Sequence, residues 1–272
     1  MRRVGIRWTI GDVSEQGFEA LQCSIWGAWN AFGPDTAYAV CVNTVSLDRA
    51  RALTGAVPEA VRWHWVARDL PAFLVDHVDA AMAEGVAWKF TPLRMFPDRY
   101  EISLDNDCIL WDVPDAIRSW LAHGAGCVLA EDVLRCFGKF SDLCGARPIN
   151  LGIRGVPPGF DVGRALAAML REHPCVLESE LDEQGLQVAA ISRTPPLFVV
   201  DVDEVTICSP FPPHLPYLGR RGAHFVGLNS KGLPWSYEGR PATELTREHW
   251  ARLRPEVARR VGLPPPIAKK YE

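Results

Sequence analysis

Residues 4–33, VGIRWTIGDVSEQGFEALQCSIWGAWNAFG, set the architecture of this 272-residue chain. Val4–Ile10 is a short apolar run of strand type that stops at Gly11-Asp12. From Ser14 the apolar positions change period: Phe18, Leu21, Ile25, Trp29 and Phe32 recur at helical spacing until Gly33-Pro34 ends the run. The strand–helix unit then repeats. Ala37–Val42 is a second strand, and Ser46 caps a short helix closing near Gly55. Val61–Ala67 alternates Trp63 and Trp65 against Arg62 and His64, the pattern of a strand with one buried face. Pro71–Glu84 has proline in its first turn and Gly85 just past its end, which predicts a helix. Tyr100–Leu104 is the next strand and runs straight into Asp105. This order predicts an α/β fold with a mostly parallel central sheet flanked by helices, and ligands beyond the carboxyl ends of its strands.

The second half is less regular. It carries a helix from about Pro114 to His123, a Gly- and Cys-rich loop to Arg147, and a helix from about Val162 to Glu172. A strand at Leu197–Val202, a Pro-rich stretch and a helical tail from Thr246 follow. The expected organisation is one domain over 1–262. Its nucleotide-binding half is about 1–112 and its sugar- and acceptor-binding half about 113–262, with 263–272 a disordered tail.

Composition narrows the function classes. The 29 basic and 33 acidic residues leave a net charge of −4, so no basic excess exists to hold a nucleic-acid backbone. No apolar run reaches the roughly 18 residues that cross a bilayer, and the amino terminus has no secretory leader pattern. A cytoplasmic protein is expected. The eight cysteines form no C-x-x-C pair and several lie in apolar runs, so they read as reduced core residues. Cys136 and Cys144 share a loop and leave a zinc site as an alternative.

Chemistry concentrates in Ile102-Ser103-Leu104-Asp105-Asn106-Asp107-Cys108-Ile109-Leu110. Two carboxylates spaced i, i+2 between apolar runs repel each other and lose hydration. A hard divalent cation, Mn²⁺ or Mg²⁺, removes both costs. A strand-end turn capped by Asp and Asn is the plainer reading of the same residues.

Four segments in order resemble the GT-A-fold glycosyltransferases. Trp88-Lys89-Phe90-Thr91-Pro92-Leu93-Arg94 followed by EISLDNDCIL is similar to their Asp-x-Asp motif and its lead-in. Asn150-Leu151-Gly152-Ile153-Arg154-Gly155 resembles the strand lining the donor-sugar pocket. Leu181-Asp182-Glu183-Gln184-Gly185-Leu186 resembles the acidic segment near the reacting carbon, and His224-Phe225-Val226-Gly227-Leu228-Asn229-Ser230-Lys231 the carboxyl-terminal H-x-x-G…K segment. The resemblance spans about Val4 to Trp235.

It implies a metal-dependent transferase that takes a sugar from a nucleotide-diphosphate donor, a UDP-sugar by preference, to a glycan or lipid-linked acceptor. Asp105, Asp107 and His224 would hold the metal. Gly11, Asp12, Lys89, Arg94, Asn106, Asn150, Gly152, Gly227 and Lys231 would contact the donor. Asp182, Glu183 and Gln184 would serve catalysis, although acidic residues equally suit a first helical turn. Two residues separate Lys231 from Pro234-Trp235, where the retaining members run directly into Pro-Trp, so retention or inversion stays open. Trp111 and Trp235, beside the candidate site, are candidates for sugar stacking.

Three rival readings stand beside this one. A non-catalytic nucleotide-sugar-binding protein would keep the fold. A sugar nucleotidyltransferase would begin with a Gly-rich loop, which TIGDVSEQGF is not. Phe198-Val199-Val200-Asp201-Val202-Asp203 matches the nucleophile strand of haloacid-dehalogenase-type phosphatases, but too little chain follows it for the rest of that site.

Overall fold

The computed structural model describes residues 2–67, 69–79 and 89–263. Its central sheet has seven strands in the order β3-β2-β1-β4-β7-β6-β8. These are β1 (Val4–Ile10), β2 (Ala37–Val42), β3 (Val61–Trp65), β4 (Tyr100–Leu104), β6 (Cys127–Glu131), β7 (Ile149–Val156) and β8 (Leu197–Val200). β1 pairs in parallel with β2 and β4, β2 with β3 and β6 with β8, whereas β7 runs antiparallel to both its neighbours. The predicted mostly parallel sheet is thus present, with one reversed strand.

Helix α1 (Glu15–Phe32) begins where expected. The Ser14 hydroxyl accepts from the Gly17 amide at 3.0 Å, and Gly33, at φ 78°, ends it. With α3 (Asp115–His123), α1 covers one face of the sheet, burying Phe18, Leu21, Ile25, Ile117 and Trp120 on Ile6, Trp8, Tyr38 and Ile102. The opposite face is covered by α4 (Val162–Glu172) and α5 (Glu180–Ser192), through Leu166, Met169, Leu186 and Ile191. Helix α2 (Leu47–Thr54) is capped by Ser46 as expected.

A second sheet of three strands, β5 (Cys108–Leu110), β10 (Gly222–His224) and β9 (Val205–Ile207), stands against the outer side of α1. Ala20, Cys23, Ile109, Phe225 and Trp250 of helix α6 (Ala242–Arg260) fill the space between. A short hairpin, β11 (Ser236–Tyr237) and β12 (Arg240–Pro241), leads into α6.

Some expectations are corrected. Among the described residues of the predicted helix Pro71–Glu84, a 3-10 turn forms at Ala72–His77, and Val78 then leaves it to bridge Leu177. The rest of that helix lies outside the described residues, as do Trp88 and the tail beyond Leu263. β3 is an edge strand, so Trp65 is 56% exposed instead of sharing a buried face with Trp63. The loop to Arg147 contains β6, and the final helix starts at Ala242, one turn before Thr246. The periodicity of a three- to five-residue strand buried on both faces is too short to read. All eight cysteines are free, and burial pushes the Cys23 thiol up to about 12 and Cys41 up to about 11.

Candidate metal centre

Asp105 and Asp107 occupy the junction between the two sheets. β4 ends at Leu104 in the large sheet and β5 begins at Cys108 in the small one, so the carboxylates lie at a change of direction. β10 then pairs antiparallel with β5 in a register that sets His224 opposite Cys108. Single ligand atoms of Asp105, Asp107 and His224 consequently lie within 4.8 Å of one another. His224 Nε2 is 3.3 Å from Asp107 Oδ1 and 3.6 Å from Asp105 Oδ2.

The reversed strand completes this edge. Because β7 runs against β4, its beginning lies beside β4's end, and the Asp105 amide donates to the Gly152 carbonyl at 3.0 Å. A side chain at Gly152 would place Cβ 2.4 Å from His224 Nδ1, so glycine is what lets the imidazole in. Asn150 accepts from the Gly152 amide and donates to Asp132 Oδ2 at 3.1 Å.

Asp107 is buried. Its Oδ2 accepts from Asn229 Nδ2 at 2.9 Å, while its Oδ1 makes no hydrogen bond. Asn106 and Asn229 exchange amide hydrogen bonds at 2.6 and 3.1 Å, and Asn106 also donates to the Gly17 carbonyl. The Ser14 hydroxyl donates to Leu228 O, which stitches the start of α1 to the segment after β10. Asn106, predicted to contact donor, therefore supports the centre from within. Asn229 carries no sequence signal beyond its position five residues after His224.

Charge around the centre is balanced unevenly. Lys89 Nζ lies 2.6 and 2.7 Å from the two Asp105 oxygens. Burial pushes the Asp105 carboxyl up, but Lys89 and His224 overcome this and hold it below the usual range. Burial lowers His224, and the two aspartates carry it above its ordinary value. Glu183, at the start of α5, is pushed by burial up to about 7 although Lys89 draws it down. Its Oε1 accepts from Gln187, whose own carbonyl accepts from buried Arg154. Arg154, pushed down to about 10 by burial and by Arg7, extends this polar strip toward the Arg7–Glu101 pair in the sheet. Of these residues, Gln187, Arg7 and Glu101 carry no functional expectation from sequence.

Other predicted residues are placed differently. Lys231 pairs with Asp12 at 2.5 Å, joining two of the donor candidates at the end of β1 beside Gly11. Gly227, at φ 83°, makes the turn from His224 toward Lys231. Arg94 spends its guanidinium on the carbonyls of Phe96, Arg99, Pro157 and Phe160. Asp182 is the third residue of α5, and its carboxylate accepts from the Lys139, Glu178 and Ser179 amides. Gln184 donates to Cys136 O at 2.9 Å. Trp111 stacks under Arg260 at 4.7 Å and donates to Arg220 O, and Trp235, 43% exposed, packs on Phe211.

The donor set fits a divalent cation. Two carboxylate oxygens and one imidazole nitrogen converge, and Asp107 Oδ1 is a buried anionic oxygen that faces only the His224 imidazole, at 3.3 Å. Among the described residues, Asp201 and Asp203 join no comparable group.

No known protein family matches the sequence, and neither does any curated protein. The fold is similar to the crystal structure of the galactosyltransferase LgtC in complex with donor and acceptor sugar analogs. The TM-score is 0.53 at 10% identity, over 96% of this chain and 98% of that one. A structure of an active-site mutant of LgtC matches with a TM-score of 0.50 at 11% identity, over 91% and 95%. The GT-A-like architecture is thus shared along nearly the whole chain.

Proposed function

We propose that this protein is a divalent-metal-dependent glycosyltransferase that moves a sugar from a nucleoside-diphosphate donor to an acceptor hydroxyl. The convergence of Asp105, Asp107 and His224 at the carboxyl edge of a GT-A-like sheet carries this reading. A UDP-sugar is the favoured donor and a glycan or lipid-linked sugar the favoured acceptor, in line with the donor and acceptor analogs held by LgtC. Residues through 262 act as one unit, with the nucleotide toward the first half and the sugar toward the second. Eight free cysteines suit a reducing, cytoplasmic setting. Among the described residues no helix is long and apolar enough to cross a membrane.

Asp105, Asp107 and His224 would hold Mn²⁺ or Mg²⁺, which when bound takes up the negative charge that grows on the diphosphate leaving group. Lys231 and Lys89 stand at the same edge to meet phosphate oxygens. Glu183 is the carboxylate best placed for the reacting centre. Gln187 fixes one of its oxygens from behind, and a carboxyl poised near 7 can hold or accept the acceptor proton. Asp182 stabilises the start of α5 and thereby keeps Glu183 in place.

Calorimetric titration of UDP with Mn²⁺ tests the centre. Wild type is expected to bind and Asp107→Ala to lose metal-dependent binding while keeping its fold. Unchanged binding in Asp107→Ala removes the metal assignment. A thermal-shift panel of nucleotide sugars names the donor class, since a ligand that binds only the folded state raises its melting point. Binding without turnover or hydrolysis of any sugar would instead identify a non-catalytic nucleotide-sugar-binding protein.

A further inference from the structure

The two carboxylates of the centre are held in opposite ways. Asp107 has Oδ2 fixed by Asn229 and a buried Oδ1 that makes no hydrogen bond. Asp105 has both oxygens in contact with one cation already, the Lys89 ammonium, 2.6 Å from Oδ1 and 2.7 Å from Oδ2. A cation shared by Asp105, Asp107 and His224 needs one of the oxygens that Lys89 holds. Resting on the metal-dependent reading, we infer that Lys89 competes with the cation for Asp105 and thereby couples metal binding to binding of the donor diphosphate. Asp107 is the standing ligand and Asp105 the conditional one.

The physical basis is charge. An ammonium in contact with Asp105 cancels one of the two negative charges that attract a divalent ion, and at this distance the effect is large. Lys89 can let go at little cost only if another anion enters the same corner. The other carboxylates that act on Lys89 are poor substitutes: Glu183 is buried and engaged by Gln187, and Asp107 is buried, held by Asn229 and itself part of the cation's set. A diphosphate bound through the metal brings new anionic oxygens, and Lys89 can pass from carboxylate to phosphate without losing its ion pair. Metal then favours nucleotide and nucleotide favours metal by the same factor, as linkage requires. Lysine suits this exchange because its charge is compact and its stem flexible. Its side chain is 39% exposed, so it can swing without opening the core.

The test is Mn²⁺ affinity, measured on the full chain by calorimetry and by the electron-spin-resonance signal of the free ion, with and without saturating UDP. In wild type, UDP is expected to tighten Mn²⁺ by about tenfold or more. Lys89→Met is expected to bind Mn²⁺ alone about tenfold tighter than wild type and to lose most of the UDP effect. Lys89→Gln, a second neutral variant, should do the same, while Lys89→Arg should keep Mn²⁺ alone weak. Folded neutral variants that bind Mn²⁺ no more tightly than wild type overturn the inference and leave the metal centre standing. So does a wild type whose Mn²⁺ affinity ignores UDP. A wild type that binds no Mn²⁺ under either condition overturns the metal-dependent reading, and this inference falls with it.

Discussion

The middle and the end of the same two strands treat charge differently. Midway along β1 and β4, Arg7 donates to Glu101 at 2.8 Å with the two side chains only 1% and 2% exposed. Past the carboxyl end of β1, Asp12 pairs with Lys231 at 2.5 Å while about half of each side chain meets solvent. Residue types and distances are alike, yet the physical meaning is opposite. The inner pair is obligatory once formed, because either charge alone would be stranded without water. The outer pair is optional and free to exchange partners. Asp107, past the end of β4, combines the two: buried like Glu101, yet with an Oδ1 that makes no hydrogen bond and faces the His224 imidazole at 3.3 Å.

Breaking the inner pair should have the largest effect. Arg7→Met leaves Glu101 buried beside the Met95 and Phe96 amides that also donate to it, and should cost about 3–5 kcal/mol in urea unfolding. A loss below about 1 kcal/mol would mean that those amides, with Arg94 at 3.6 Å, suffice. At the strand end, Asp107→Ala should weaken Mn²⁺ binding about 100-fold, about 2.7 kcal/mol. Asp12→Asn should leave Mn²⁺ affinity within about threefold, and equal losses in both would erase the distinction.

Gly152→Ala sets a methyl group against His224 and should cost about 1–3 kcal/mol in thermal melts, with weaker Mn²⁺ binding as well. Unaltered Mn²⁺ affinity would show that the imbroglio of His224 and Gly152 is relieved without moving the ligand. His249 supplies the case of a buried group kept neutral. Burial, with Arg252 nearby, depresses it from 6.5 to about 4. Below about pH 6.5 the unfolded chain takes up a proton that the folded one refuses, so stability present above that pH is lost as pH falls toward 4. The expected loss is about 1–2 kcal/mol, read from urea midpoints at pH 7 and 4.5, and His249→Gln should flatten it. Smallest of all, Lys231→Met should change stability by less than about 1 kcal/mol.

The parallel half of the fold was legible because its strands and helices are long enough to show their period. β1, α1, β2 and β4 begin and end as the caps and turns indicate. The short three-stranded sheet at the site was not, since β5, β9 and β10 have three residues each and take their identity from pairing across long stretches of chain. The metal candidates stood out because acids interrupt an apolar run. Arg7 interrupts one too, in VGIRWTI, but nothing local names Glu101 as its partner. Asp182 shows the converse limit. Its neighbours in sequence suit a catalytic segment, and only the turn of the chain reveals that three backbone amides have claimed its carboxylate.

The reversed direction of β7 and the late arrival of β10 have a consequence for the chain as it emerges during synthesis. Asp105 and Asp107 are made early, the glycine that makes room for the imidazole comes later, and His224 and Asn229 come near the end. Contacts so far apart in sequence form late and slowly. Under the proposed metal-dependent reading, cation binding at full strength therefore awaits the last of these segments. A chain that ends before His224 would lack the third ligand of the proposed centre, and with it the stability that ligation would add.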